Sequence, residues 1–253
     1  MGTDLFQCPF YFARNKAPQN LGDVMTSKNF DQDVVVQLTE VKQRMGLLGS
    51  SLPTSIDPVG ISRVKLASMP LWCRETMIWR IHELGTVAVE SFDTGRGSAG
   101  MVLVRGVFES ALVVFLIENE MQKFEPSQHN RLKSLFEKLW AGESNDVNSL
   151  PPITPGKLIG LLKANKNIKR VYDRLSNYTH PNRSAQRLSS KYDRETAVMS
   201  FGQFPEESIV FGLKVLNETL ALFEKAYNSI TDLMPKFVEK CEIAVPEEFE
   251  KKG

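Results

Sequence analysis

The apolar residues Ile209, Leu213, Leu216, Leu220, Phe223, Tyr227, Ile230 and Met234 recur at alternating spacings of four and three. Only an α-helix brings such positions onto one face, and the stripe runs for about seven turns. No loop or short strand covers a stripe that long, so other long helices must pack along it. Glu206 and Glu207 stand where carboxylates complement the dipole at the start of such a helix.

A second segment narrows the choice further. Ala99 to Ile117 reads AGMVLVRGVFESALVVFLI, about long enough to cross a membrane. Arg105 and Glu109 lie near its centre, where each charge would cost about 2.5–3.5 kcal/mol in lipid. Their i,i+4 spacing lets them pair on a helix. The segment therefore reads as the central helix of a soluble bundle, buried on all sides, and not as a membrane span.

Around these two helices the chain divides into three parts. Residues 1–69 read as an irregular arm, a helix from about Asp31 to Leu48 carrying Val34, Leu38, Val41 and Met45, and a linker over 49–69 rich in Gly and Pro. Residues 70–240 read as the bundle. Pro70 suits the first residue of a helix, Thr94–Ser98 is a turn, and Pro126 opens a helix with Leu132, Leu135, Phe136 and Leu139 inward. Thr154-Pro155 is an N-cap followed by proline, and helical spacing then runs to His180-Pro181 with a break near Asn165–Asn167. Residues 196–201 allow at most one short strand or hairpin, and 241–253 form a charged tail. The expected fold is all-α, a multi-helix antiparallel bundle.

Composition excludes several classes of function. In 253 residues, 42% are hydrophobic and the net charge is +1, which rules out a disordered chain or a wholly basic nucleic-acid binder. The three cysteines, Cys8, Cys73 and Cys241, are too scattered for a disulfide framework or a zinc site. The N-terminus has neither a basic nor an apolar leader segment, and with the reduced cysteines this points to a cytoplasmic protein. There is no P-loop, GxGxxG, HExxH or GxSxG, so no metal and no cofactor is expected. Trp72, Trp79 and Trp140 lie beside the core stripes and read as packing residues.

Chemistry concentrates in Arg170-Val171-Tyr172-Asp173-Arg174-Leu175-Ser176-Asn177-Tyr178-Thr179-His180-Pro181-Asn182. On a helix Asp173, Ser176 and His180 project to one side, with Asn177 beside His180. An imidazole is the side chain that most readily moves a proton at neutral pH, and a guanidinium clamps phosphate oxygens in pairs. Arg174 lies about 9 Å along the axis from His180 and some 120° round it, so one regular helix does not bring them together. Either the last turn unwinds or a second subunit supplies half of the site. From Lys157 to Arg194 ten cationic residues stand against two acidic ones, about +8 in a nearly neutral chain. Such a run attracts phosphate, or else is a solvated helix face and loop.

Arg174-x5-His180, with Asn177 between, resembles the R-x4–6-H motif of the HEPN superfamily of small all-α domains. Tyr172-x2-Leu175-Ser176-x3-His180-Pro181-Asn182, preceded by Arg105-x3-Glu109, is similar to a bacterial HEPN-like family that pairs an "LS…HP" helix with an earlier Arg-x3-Glu helix. The resemblance covers roughly 70–234. It implies a metal-independent endoribonuclease, of the kind found in phage defence and toxin–antitoxin modules, acting as a homodimer on RNA alongside an antitoxin or defence partner. By the same resemblance His180 would move the proton and Arg174 hold the phosphate, with Asn177 and Ser176 in support. Arg105, Glu109, Asp173 and Tyr172 would have structural roles. The alternative is a non-catalytic interaction or nucleotide-sensing scaffold with the same polar residues as internal struts.

Overall fold

The computed structural model describes residues 32–57, 61–141, 153–162, 166–180, 183–201 and 204–245. Within these, eight α-helices and one hairpin follow in the order α1 (Gln32–Ser50), α2 (Lys65–Asp93), α3 (Gly97–Lys123), α4 (His129–Ala141), α5 (Pro155–Leu161), α6 (Lys166–Thr179), α7 (Arg183–Ser189), β1 (Ser190–Tyr192), β2 (Met199–Phe201) and α8 (Glu206–Ala244). A 3-10 turn, Pro126–Gln128, leads into α4. The fold is an all-α bundle.

The organising element is α3. Met101, Val104, Val107, Ala111, Leu112, Val114, Leu116 and Ile117 are all at most 1% exposed, so apolar side chains are buried on every side of the helix. Its most apolar stretch has a mean hydropathy of 2.0, and by length and composition alone it would cross a membrane. In the fold it lies against α2 and α8 over most of its length, with α5 and α6 covering the rest. The α2 helix answers it with Ile78, Ile81, Gly85, Ala88 and Phe92, all buried at 3-4-3-4 spacing.

The α8 stripe continues beyond Met234 through Phe237 and Cys241, both buried, and Pro235 sits inside the helix on its exposed side. The helix is therefore about 58 Å long. The segment expected to begin the charged tail forms its last turn, because Cys241 is fully buried.

Phe92 of α2 packs against both α3 and α8. A Cβ added at Gly100 of α3 would lie 2.6 Å from the Phe92 ring, and one at Gly212 of α8 would lie 2.6 Å from it and 2.8 Å from Met101 Sδ. Two glycines thus make the slot that the ring fills. Nearer the other end of α2, a polar cluster ties it to α8. Arg74 and Glu75, each 8% exposed, form an ion pair. Arg74 Nη1 donates to Thr231 Oγ1 at 2.7 Å, and the Tyr227 hydroxyl donates to Glu75 Oε2 at 2.7 Å. Burial, then the Glu75 hydrogen bond, pushes the Tyr227 phenol up to about 12, so it stays protonated and keeps donating.

Three boundaries differ from the sequence reading. The α2 helix starts at Lys65, and Pro70 is inside it. Val64, Leu66, Ala67 and Met69 are at most 3% exposed, so burial recruits the end of the expected linker into the helix. The first helix is not set apart, since Val34, Leu38, Val41 and Met45 are buried in the same core, against α8 and α2. The strand expected near 196–201 is β2, whose partner β1 pairs Ser190 with Phe201 and Tyr192 with Met199. Residues 1–30 and 246–253 lie outside the described residues.

Gly212→Ala is expected to destabilise the protein by about 1–3 kcal/mol, because the Phe92 ring has no free volume to move into. Gly160→Ala, at a helical position with nothing within 4 Å of the new methyl, is expected to be neutral or to stabilise. Thermal midpoints of the two variants check this; a Gly212→Ala midpoint equal to that of wild type contradicts the slot.

Candidate functional site

The helix that carries the expected site, α6, is amphipathic in the plainest way. Leu175 is fully buried and Ile168, Val171, Tyr172, Tyr178 and Thr179 flank it on the inner face. Lys166, Lys169, Arg170, Asp173, Asn177 and His180 are exposed on the opposite face. At about 100° per residue these six fall within one stripe, with Arg174 at its edge.

Two contacts fix how α6 is rotated. On one side Arg105 of α3 reaches across. Its Nε donates to Glu109 Oε1 at 2.8 Å, its Nη1 to Thr179 Oγ1 at 2.5 Å and its Nη2 to the Tyr172 hydroxyl at 3.2 Å. Burial alone would lower the guanidinium's pKa. The hydrogen bond and charge of Glu109, with Tyr172 adding to them, outweigh it and hold the pKa above its ordinary value. Arg105 is therefore a permanent cation inside a helix junction, and its donors choose the rotation of α6. On the other side the Arg174 guanidinium stacks over Phe211 of α8, 3.7 Å from the ring centroid. Tyr178, one turn on, meets the same ring at 5.9 Å and 50°. Arg174 remains exposed, so its N–H edges stay open to a ligand.

The remaining expected residues are placed as follows. His180 is exposed, and its N–H bonds Ser176 O at 3.1 Å, so the helical hydrogen-bond pattern runs on into it. The last turn does not unwind, and His180 and Arg174 stay about 9 Å apart along the axis and on different sides of the helix. Asn177 stands exposed beside His180. Asp173 is also exposed and accepts from Lys169 Nζ at 2.5 Å, an i,i+4 pair worth a few tenths of a kcal/mol. Ser176 Oγ is shielded from solvent and has no hydrogen-bond partner among the described residues. Pro181 and Asn182 lie outside the described residues.

The basic run is solvent-facing where it is described: Lys157, Lys166, Lys169, Arg170, Arg174, Arg187 and Arg194 are all exposed. Lys163 lies outside the described residues. Among the described residues no cluster of His, Cys, Asp or Glu is arranged to hold a metal. The α6 stripe is the outer face of a helix and hence convex, whereas a concavity of about 1290 Å³ lies elsewhere, between the hairpin and the starts of α1 and α8. Arg187 and Arg194 line it, and so do Asp33, Glu206 and Glu207.

Sequence reading missed that concavity because α7 and β1 carry no periodic signal, and the apolar Tyr192, Met199 and Phe201 lie exposed on the hairpin. It also misjudged two tryptophans. Trp79 is 50% and Trp140 is 54% exposed, so neither is a core packing residue.

Removing the Arg105 side chain is expected to cost about 1–3 kcal/mol, because it leaves Glu109 and Thr179 without their donor. The loss should be local. In Arg105→Ala, hydrogen exchange over 166–180 should quicken well before that of the central turns of α8, and Arg105→Lys should not restore it, having no planar fork. Unchanged protection of α6 would contradict its anchoring role.

No protein-family model matches this chain, and neither a curated protein nor a solved structure matches it significantly.

Proposed function

We propose that this chain is a metal-independent endoribonuclease of HEPN type that works as a homodimer. The observation that carries the reading is the exposed face of α6, where Lys166, Lys169, Arg170, Asn177 and His180 stand in one stripe with Arg174 at its edge. A cationic face with an accessible imidazole suits a phosphodiester, which brings both negative charge and a proton to be moved.

Since α6 is convex and keeps Arg174 away from His180, the α6 face of a single copy forms no cleft around the two side chains. Two copies with their α6 faces opposed supply one, in which His180 of one protomer meets Arg174 of the other. In that cleft His180 takes the proton of the ribose 2′-hydroxyl as its oxygen attacks phosphorus. Arg174 holds the non-bridging oxygens as charge grows on them. The 5′-oxygen leaves and takes a proton from solvent, giving a 2′,3′-cyclic phosphate and a 5′-hydroxyl end. Asn177 lies beside His180 to position the strand, whereas the Ser176 hydroxyl, shielded from solvent, stays behind the face and does not reach the substrate. Such an enzyme would act in the cytoplasm, in a defence or toxin module with a protein that restrains it.

A second reading is favoured by one observation. Arg105, Glu109, Tyr172 and Thr179 form a half-buried hydrogen-bonded network between α3 and α6, as internal struts of a binding scaffold would. On that reading the basic stripe holds RNA or a nucleotide without cutting it.

In chelator-containing buffer the wild-type protein is expected to cleave single-stranded RNA, and His180→Ala to abolish cleavage. Because the ring is exposed, the variant's thermal midpoint should stay within a few degrees of wild type. Raising salt from about 50 to 200 mM should weaken RNA binding at least tenfold. A wild-type protein that binds RNA without cutting it supports the scaffold reading and ends the enzymatic one, and a His180→Ala variant that cuts as well as wild type removes His180 from the chemistry.

A further inference from the structure

All three tryptophans of the chain line one concavity of about 340 Å³, in which no α6 residue takes part. Trp72 and Trp79 come from α2, two turns apart, and Trp140 comes from the end of α4. The stretch Pro53–Ile56, between α1 and α2, closes the third side. The indoles are held at angles and not stacked flat. Trp72 and Trp140 have centroids 5.9 Å apart and planes at 50°. Trp79 Nε1 donates to Pro53 O at 2.8 Å, which fixes that ring and ties the Pro53 stretch to it. Half of Trp79 and half of Trp140 nonetheless remain open to solvent. Large indole surfaces left exposed around a concavity mark a binding site more often than a packing fault.

The lining decides what kind of ligand fits. Among the described lining residues there is no lysine, arginine or histidine, and the single ionisable one is Glu75. Glu75 Oε1 accepts from Arg74 and Oε2 from the Tyr227 hydroxyl, so its carboxylate is rigid and largely neutralised by Arg74. The attraction is therefore left to the indole faces, whose quadrupoles favour cations, with Trp the strongest of the aromatic side chains. An anion finds no donor charge here. A bare ammonium would lose its water shell to rings that cannot accept its hydrogen bonds. A methylated ammonium has no such shell to lose and has the apolar girth to touch several rings at once.

We propose that Trp72, Trp79 and Trp140 form an aromatic cage for a methylated ammonium cation. The cage is built from rigid helices and one pinned ring, so it is formed before the ligand arrives. The chemistry is shared by a small trimethylammonium compound and by a trimethylated lysine on a protein. The site is independent of the RNA-cleaving reading of α6.

Every tryptophan of the chain lies in this cage, so fluorescence excited selectively in tryptophan reports on it. Titration of the full chain with tetramethylammonium chloride, against sodium chloride at equal ionic strength, should give a saturable change with a dissociation constant on the order of 1–10 mM. The neutral isostere 3,3-dimethyl-1-butanol should bind at least tenfold more weakly than choline, because it matches the shape without the charge. Trp140→Ala should weaken tetramethylammonium at least tenfold, and Trp140→Phe should fall between it and wild type. Trp140 is half exposed, so both variants should keep the wild-type thermal midpoint within a few degrees. Tighter binding of a trimethyl-lysine peptide than of choline assigns a protein ligand to the cage, and the reverse assigns a small metabolite. No saturable response to tetramethylammonium, equal binding of the neutral isostere, or undiminished binding by a folded Trp140→Ala variant overturns the proposal.

Discussion

The structure depends on covering α3. A 27-residue helix, Gly97–Lys123, with apolar side chains on nearly every side has no stable exposed face in water, so each neighbour must bring a matching apolar stripe. The long stripes of α2 and α8 do this, and Phe92 in its slot between Gly100 and Gly212 shows how closely the three backbones approach. Close packing of this kind fixes the relative rotation of the helices, because a ring between two glycines has one place to sit.

Where the apolar covering ends, charge takes over. Arg105 and Glu109 interrupt the apolar surface of α3, and α6 is the element laid over them. A guanidinium in a half-buried junction needs its donors satisfied, so Thr179 and Tyr172 must face inward. With the inner face of α6 set in that way, Asn177 and His180 can only face outward, onto the basic stripe. The position of the imidazole thus follows from a charge placed more than seventy residues earlier in the chain. The same rotation lays Arg174 over Phe211 and keeps it apart from His180, which is why the proposed chemistry needs a second copy.

The parts of the structure with strong helical period were legible in the sequence. The α8 stripe, the buried character of α3, the Thr154 cap (its hydroxyl accepts from Lys157 N at 3.4 Å) and the break before α6 are all local signals. Boundaries were less legible where burial overrides a local rule. Pro70 reads as a helix start, but the apolar residues just before it extend α2 backwards. Elements without period were missed: α7 is a short polar helix, and β1 depends on pairing with a strand nine residues away. The tryptophans were misread for a related reason. Spacing along one helix cannot show that Trp140, on α4, comes round to face Trp72 and Trp79 on α2. The stripe of α6 was legible, but only the distant contact from Arg105 decides which way it faces.

The central claim, a site shared between two copies, is tested most directly by mixing two variants each inactive alone. His180→Ala lacks the proton carrier, and Arg174→Met lacks the phosphate clamp while its stem still packs on Phe211. Mixed in equal amounts and allowed to exchange subunits, they should regain about a quarter of wild-type RNA cleavage, since half of the dimers would carry one intact site of two. A mixture that stays inactive although mixed dimers form, or an Arg174→Met protein that cleaves as well as wild type, would contradict the shared site.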